Sequence, residues 1–295
     1  MKSRNIVLCL LPLLLFMALS LPHHPFSLWL NEEFIIPYGF EAMQSAADIG
    51  SYALLVSVSL AVVILHRRLK WRAVCHAGYW IITGLMMYVA DRTLIVNNIE
   101  RIHFPEYALM ALLLGLAIRD ANLVFLTASF AGFADELLQF LMNPQRTAYL
   151  DFNDIVLNIL GAGFGAALLI AFRRRPVTVP ASYEETVRSV LKIAAGFLGG
   201  LVLIVLFAGR FVPVVDVATD RSVIADVNGK LSFILSFERH DDFWITSDYG
   251  KVFHVLSPME GSLLIGFLLI LFLVSLRWLG GWMGRVNPSA EPQSS

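Results

Sequence analysis

Apolar side chains gather in eight long stretches along this chain, at about residues 5–22, 46–65, 73–90, 105–118, 121–142, 152–172, 190–209 and 260–279, with short polar segments between them. A run of about 20 apolar residues is long enough to cross a bilayer as a helix. Lipid offers backbone polar groups no partner outside the helix itself. The pattern therefore predicts an all-α polytopic membrane protein with about eight transmembrane helices. The fourth run, at about 14 residues, must borrow length from its flanks.

Two interruptions are long. Residues 23–45 hold Phe26, Trp29, Phe34 and Tyr38 with Glu32, Glu33 and Glu41 and no Lys or Arg, as expected of a segment resting in the outer membrane interface. Residues 210–259 have a different pattern. Two β-rich runs, 222–227 and 231–237, flank Asn228-Gly229, a strong two-residue hairpin signal, and 243–255 is a third candidate. This segment predicts a small β-rich extracytoplasmic loop between the last two helices, with a solvated connector as the alternative. The chain then divides into 1–72 (two helices and an interfacial loop), 73–175 (a four-helix core) and 176–295 (two helices and the 210–259 loop).

Composition agrees with this reading. Of 295 residues, 57% are apolar and 15% charged, against about 25% charged in soluble domains. The net charge of -1 gives no electrostatic footprint for nucleic acid. Alternating the loops across the membrane puts fourteen of the 22 Lys and Arg on one side, including Arg67, Arg68, Lys70, Arg72, Arg173, Arg174 and Arg175. The positive-inside rule makes that side cytoplasmic, with both termini on it, in a bacterial plasma membrane. The first run reads as a retained helix, although Lys2, Arg4 and Ala18-Leu19-Ser20 also fit a cleavable signal peptide. Cys9 and Cys75 lie in apolar runs without metal or redox spacing and read as buried fillers.

The scarce acids are concentrated between residues 100 and 165. His103 and Glu106 are three apart where the fourth run begins; Asp135, Glu136 and Gln139 lie late in the fifth; Arg146 follows; Asp151, Asp154, Asn158 and Gly161 step by three, four and three into the sixth. Spacings of three and four put side chains on one helical face, so all are expected to point to one outer-leaflet site. A charged residue at a helix centre costs about 2.5–3.5 kcal/mol on insertion scales, so adjacent acids require partners or protons. Such carboxyls suit general acid/base work, and Arg146 with His103 suits a phosphate. Interhelical hydrogen bonding is the bland alternative. Gly161, Gly163 and Gly165 read as helix-packing surface, His66 and His76 carry no role, and His240 and His254 read as surface histidines of the outer loop.

In three pieces the sequence resembles the VanZ-like family of membrane proteins: Glu100-Arg101-Ile102-His103-Phe104-Pro105-Glu106-Tyr107; Gly132-Phe133-Ala134-Asp135-Glu136-x-x-Gln139; and Arg146 followed by Asp151, Asp154, Asn158 and Gly161. The resemblance covers about residues 75–172. The family is named for an accessory protein of glycopeptide resistance that raises tolerance to teicoplanin, and its polar signature has been likened to that of phospholipid-headgroup enzymes such as phosphatidylserine synthases. The resemblance implies a cell-envelope protein acting on lipid-linked phosphate, on a polyprenyl or glycerophospholipid carrier. In that scheme Glu136 or Asp135 is the general acid/base, His103 with Glu106 beside it the proton donor or nucleophile, and Arg146 the phosphate clamp. Gln139, Asp154 and Asn158 position substrate or a divalent cation. Two other classes stay open: a proton-coupled lipid transporter or flippase, and a non-enzymatic antibiotic shield built on the outer loop.

Overall fold

The computed structural model describes residues 29, 31–66, 70–96, 98–118, 120–142, 150–172, 212–214, 224–227, 230–234, 243–247 and 250–285. Seven helices occur among them: α1 (Ile36–Tyr38), α2 (Phe40–His66), α3 (Lys70–Thr93), α4 (His103–Ala117), α5 (Ala121–Met142), α6 (Phe152–Phe172) and α7 (Pro258–Arg285). Polar residues set several helix starts. Asp120 Oδ1 accepts the N–H groups of Asn122 (2.8 Å) and Leu123 (3.2 Å) at the head of α5. A reciprocal box opens α7, where Ser257 Oγ accepts from Glu260 N and Glu260 Oε2 from Ser257 N, ahead of Pro258 in the first turn.

Helix α6 is the centre of the bundle. It packs most extensively on α4 and α5, with α7 against it, and Tyr107, Leu114, Phe125, Ile155, Leu157 and Ile159 fill the space between them. Glycines set the α4–α6 approach. A Cβ on Gly161 would lie 2.6 Å from the Phe104 carbonyl oxygen and 2.9 Å from that of His103, and one on Gly165 would lie 2.3 Å from the Ala108 carbonyl oxygen. The two backbones therefore touch, as small residues allow when helices pack closely.

Two helices are long and apolar enough to cross a membrane, Phe152–Ala171 and Met259–Leu279, and they are covered very differently, 89% and 22% buried respectively. The first is enclosed by its neighbours. The second buries Leu268, Phe272, Leu276 and Leu279 but presents Met259, Leu263, Phe267, Ile270, Val274 and Trp278, at intervals of three and four, on its outer face. In water that stripe would forgo about 1.5–3 kcal/mol of burial per large side chain. Helices α2 (Ile49, Val56, Leu60) and α3 (Ile81, Ile82, Leu85, Val89) also carry exposed apolar residues.

This corrects the expectation of about eight transmembrane helices: among the described residues two qualify. Helix α4 has 15 residues and is about 22 Å long at about 1.5 Å per residue, short of a hydrocarbon core of about 30 Å. Helix α3 begins with Lys70 and Arg72 and ends with Asp91 and Arg92, and α5 carries Asp135 and Glu136. Runs 5–22 and 190–209 lie outside the described residues. Apolar content alone did not distinguish a helix enclosed by its neighbours from one whose outer face is left bare.

Between α6 and α7 the chain forms β-structure. Strand β3 (Lys230–Ile234) lies between β1 (Val212–Val214), parallel to it, and β2 (Ile224–Val227), antiparallel to it, with Val227 opposite Lys230 across the Asn228-Gly229 connection. Strands β4 (Ile245–Thr246) and β5 (Val252–Phe253) form a separate antiparallel pair.

Candidate functional site

A turn at Asn98–Ile102 aims the start of α4. Arg101 fixes that turn, pairing its guanidinium with Asp91 of α3 (Nε to Oδ1, 2.5 Å) and with Asp48 of α2. Glu100 accepts the N–H of Val96 at 2.9 Å. These two residues, part of the entry motif, hold the frame rather than the site.

Asp151 caps α6, its Oδ1 accepting from Asn153 N (2.9 Å) and Asp154 N (3.3 Å). Burial, and then the neighbouring Asp154 charge, push the Asp151 carboxyl up to about 7 despite those bonds. Asp151→Ala should cost about 1 kcal/mol, whereas Asp151→Asn should cost almost nothing because the amide oxygen still caps. Denaturant unfolding of both variants checks the difference, and equal losses would show that the cap is not what Asp151 contributes.

Asn153, buried beside it, joins three segments. Its Nδ2 donates to the carbonyls of Leu94 (2.9 Å) and His254 (2.8 Å), and its Oδ1 accepts the N–H of Leu256 (2.9 Å). His254 itself is buried, stacked on Phe243 with ring centroids 4.1 Å apart, its Nδ1 2.6 Å from the Phe243 carbonyl and its Nε2 3.3 Å from Glu260. That corrects its reading as a surface histidine. Its contacts with Phe243 and Glu260 lie outside β5, and strand-and-turn patterning does not reveal them.

With the frame set, α4, α5 and α6 bring their polar residues to one end. His103 Nε2 lies 3.5 Å from Asp154 Oδ2, and one ligand atom each of His103, Glu136 and Asp154 falls within 4.8 Å of the others. Asn158 Nδ2 donates to Glu136 Oε1 (3.3 Å) and to the Gly132 carbonyl (3.4 Å). His103, Glu136 and Asn158 are buried, and Asp154 is half-buried. Gly132 permits this approach, since a Cβ there would meet Asn158 Cβ at 2.6 Å.

The other expected site residues are placed differently. Asp135 and Glu136 do not share a face. Successive helical residues are about 100° apart, so Asp135 turns to α4, where its Oδ2 accepts from Tyr107 OH at 3.0 Å, while Glu136 turns to α6. Glu106 is half-buried and feels the charges of His103 and Asp135. Gln139 is half-buried with its Nε2 lacking a partner among the described residues, and no contact ties it to the His103 cluster. Arg146 lies outside the described residues. Tyr107 and Asn153 were missed as supports. Tyr107 stands within the entry motif but signals no chemistry alone, and Asn153 lies off the Asp151, Asp154 and Asn158 stripe.

Glu106, Asp135, Glu136, Asp151 and Asp154 thus share one end of the bundle, and among the described residues no Lys or Arg is paired with any of them. Such an arrangement can exchange protons, hold a cation, or both. No family model, curated protein or solved structure matches this chain.

Proposed function

We propose that this chain is an integral protein of the bacterial plasma membrane, VanZ-like in its motifs, that acts on lipid-linked phosphate at the extracytoplasmic face and thereby affects glycopeptide susceptibility. The observation that carries this reading is the convergence of His103, Glu136 and Asp154, from three helices, within 4.8 Å. A buried imidazole beside two carboxyls is acid/base machinery, and its place at one end of the bundle suits a headgroup at the membrane surface.

Orientation is supported by the basic residues. Arg67, Arg68, Lys70 and Arg72 lie at the entry to α3, Arg119 follows α4, and Arg173, Arg174 and Arg175 follow α6 directly. In sequence they adjoin the start of α3 and the ends of α4 and α6, the helix ends opposite the site. The positive-inside rule then puts the site outside and these clusters, with both termini, in the cytoplasm. The apolar stripe of α7 is the face that meets lipid.

The test is turnover by the full chain reconstituted in vesicles. Headgroup release or exchange from a polyprenyl or glycerophospholipid phosphate is expected, with the same headgroup on a short water-soluble carrier at least about tenfold poorer, because remote binding energy is lost. Cells carrying His103→Ala should match cells lacking the chain in teicoplanin susceptibility. Absence of turnover on both lipid classes would overturn the reading.

A further inference from the structure

We propose that His103 Nε2, Glu136 and Asp154 bind one first-row transition dication of the Zn2+ or Mn2+ class. The inference rests on reading this pocket as a functional site, and adds what the pocket holds.

The donor set argues for the ion. One imidazole and two carboxylates match the N and O preferences of Zn2+ and Mn2+, and the absence of sulfur from the set disfavours soft Cu+. Ligand atoms at about 2.1 Å from a tetrahedral ion stand about 3.4 Å apart. His103 and Asp154 already stand at 3.5 Å, and the set of three within 4.8 Å needs only a small contraction to close on an ion.

Charge supplies a second reason. Two carboxylates and a neutral imidazole around a dication sum to zero, which is the cheapest state for a buried cluster. Without an ion, the same acids have no Lys or Arg paired with them among the described residues.

A third observation concerns the surroundings. Asn158 is fully buried and reaches the site through Nδ2 on Glu136 Oε1, yet its Oδ1 has no partner among the described residues. A buried amide oxygen without a donor, one bond away from a ligand contact, is suited to accept from a metal-bound water. The Nδ2 contact meanwhile orients the Glu136 carboxylate, as outer partners of metal ligands do. Three protein ligands leave a coordination position open, which is the arrangement of a site that polarises a phosphoryl oxygen.

The experiment uses tag-free, full-length protein in detergent, stripped with EDTA, dialysed and titrated with Zn2+. Bound metal is counted by mass spectrometry, and Co2+ is added separately to read ligand field bands. One Zn2+ per chain is expected, with affinity at least about 100-fold weaker in His103→Ala and Asp154→Asn and about 10–100-fold weaker in Asn158→Ala. Asp154→Asn is nearly isosteric and preserves the test if His103→Ala fails to fold, as judged by circular dichroism. Substoichiometric uptake by the wild type, or equal uptake by folded variants, overturns the proposal. A chain that binds no ion yet turns over lipid phosphate refutes the metal and leaves the proposed function standing. One that binds an ion through these residues but processes neither lipid class does the reverse.

Discussion

Glu136→Gln is expected to slow turnover of a lipid-linked phosphate by about 10²–10⁴-fold, the usual contribution of a positioned acid or base, while the thermal midpoint moves little. The substitution preserves shape, and the Gln oxygen can still accept from Asn158 Nδ2, which now meets Glu136 Oε1 at 3.3 Å. The ionisable proton and the charge are removed, and with the charge the anionic ligand that the proposed dication would use. Folding should tolerate that change well, because Glu136 is buried near Asp135, Asp151 and Asp154 and a neutral amide avoids their repulsion. Turnover and circular dichroism melting, measured on the same preparation, separate the two effects. Unchanged turnover would remove Glu136 from the chemistry; a collapsed melt would make it a structural residue.

The second large effect is steric. Gly161→Ala combined with Gly165→Ala should destabilise the bundle by about 3 kcal/mol, since overpacking a tight contact costs about 1–3 kcal/mol per site and both methyl groups meet α4 backbone rather than a flexible side chain. The cost should fall short of the sum of the single changes, because one outward shift of α4 relieves both clashes. That shift would also carry His103 away from Asp154, so folded double mutant should lose turnover at temperatures well below its melt. Gly266→Ala is the control: nothing lies within 4 Å of the added methyl, and better helix propensity should stabilise by up to about 1 kcal/mol. A double mutant as stable as Gly266→Ala would contradict the backbone contact between α4 and α6.

Some of the site could be read directly from spacing. His103 with Glu106, and Asp151 with Asp154 and Asn158, each lie on one helix, and a period of 3.6 residues suffices to group them. The β-run on either side of Asn228-Gly229 was legible for a similar reason, since alternation and turn chemistry are local. Asp135 and Glu136 mark the limit. As neighbours on one helix they had to diverge, and only the packing of α4 on one side and α6 on the other decided which joins His103 and which binds Tyr107. Asn153, Arg101 and His254 were beyond reach because the partners that tie their side chains to other segments lie 10 to 103 positions away in the chain.

By itself, then, the sequence determined that this chain is built from apolar helices with rare acids clustered in a few turns, because helix periodicity and burial preference are properties of single segments. Tertiary structure decided what covers each helix. It enclosed Phe152–Ala171 in protein and left the outer stripe of Met259–Leu279 bare, a distinction on which the count of eight spans failed. It also decided that His103, Glu136 and Asp154 meet, through glycines that let helix backbones touch. Both outcomes depend on which surfaces face each other, and that is a property of pairs of segments, set by shape and packing rather than by the composition of either one.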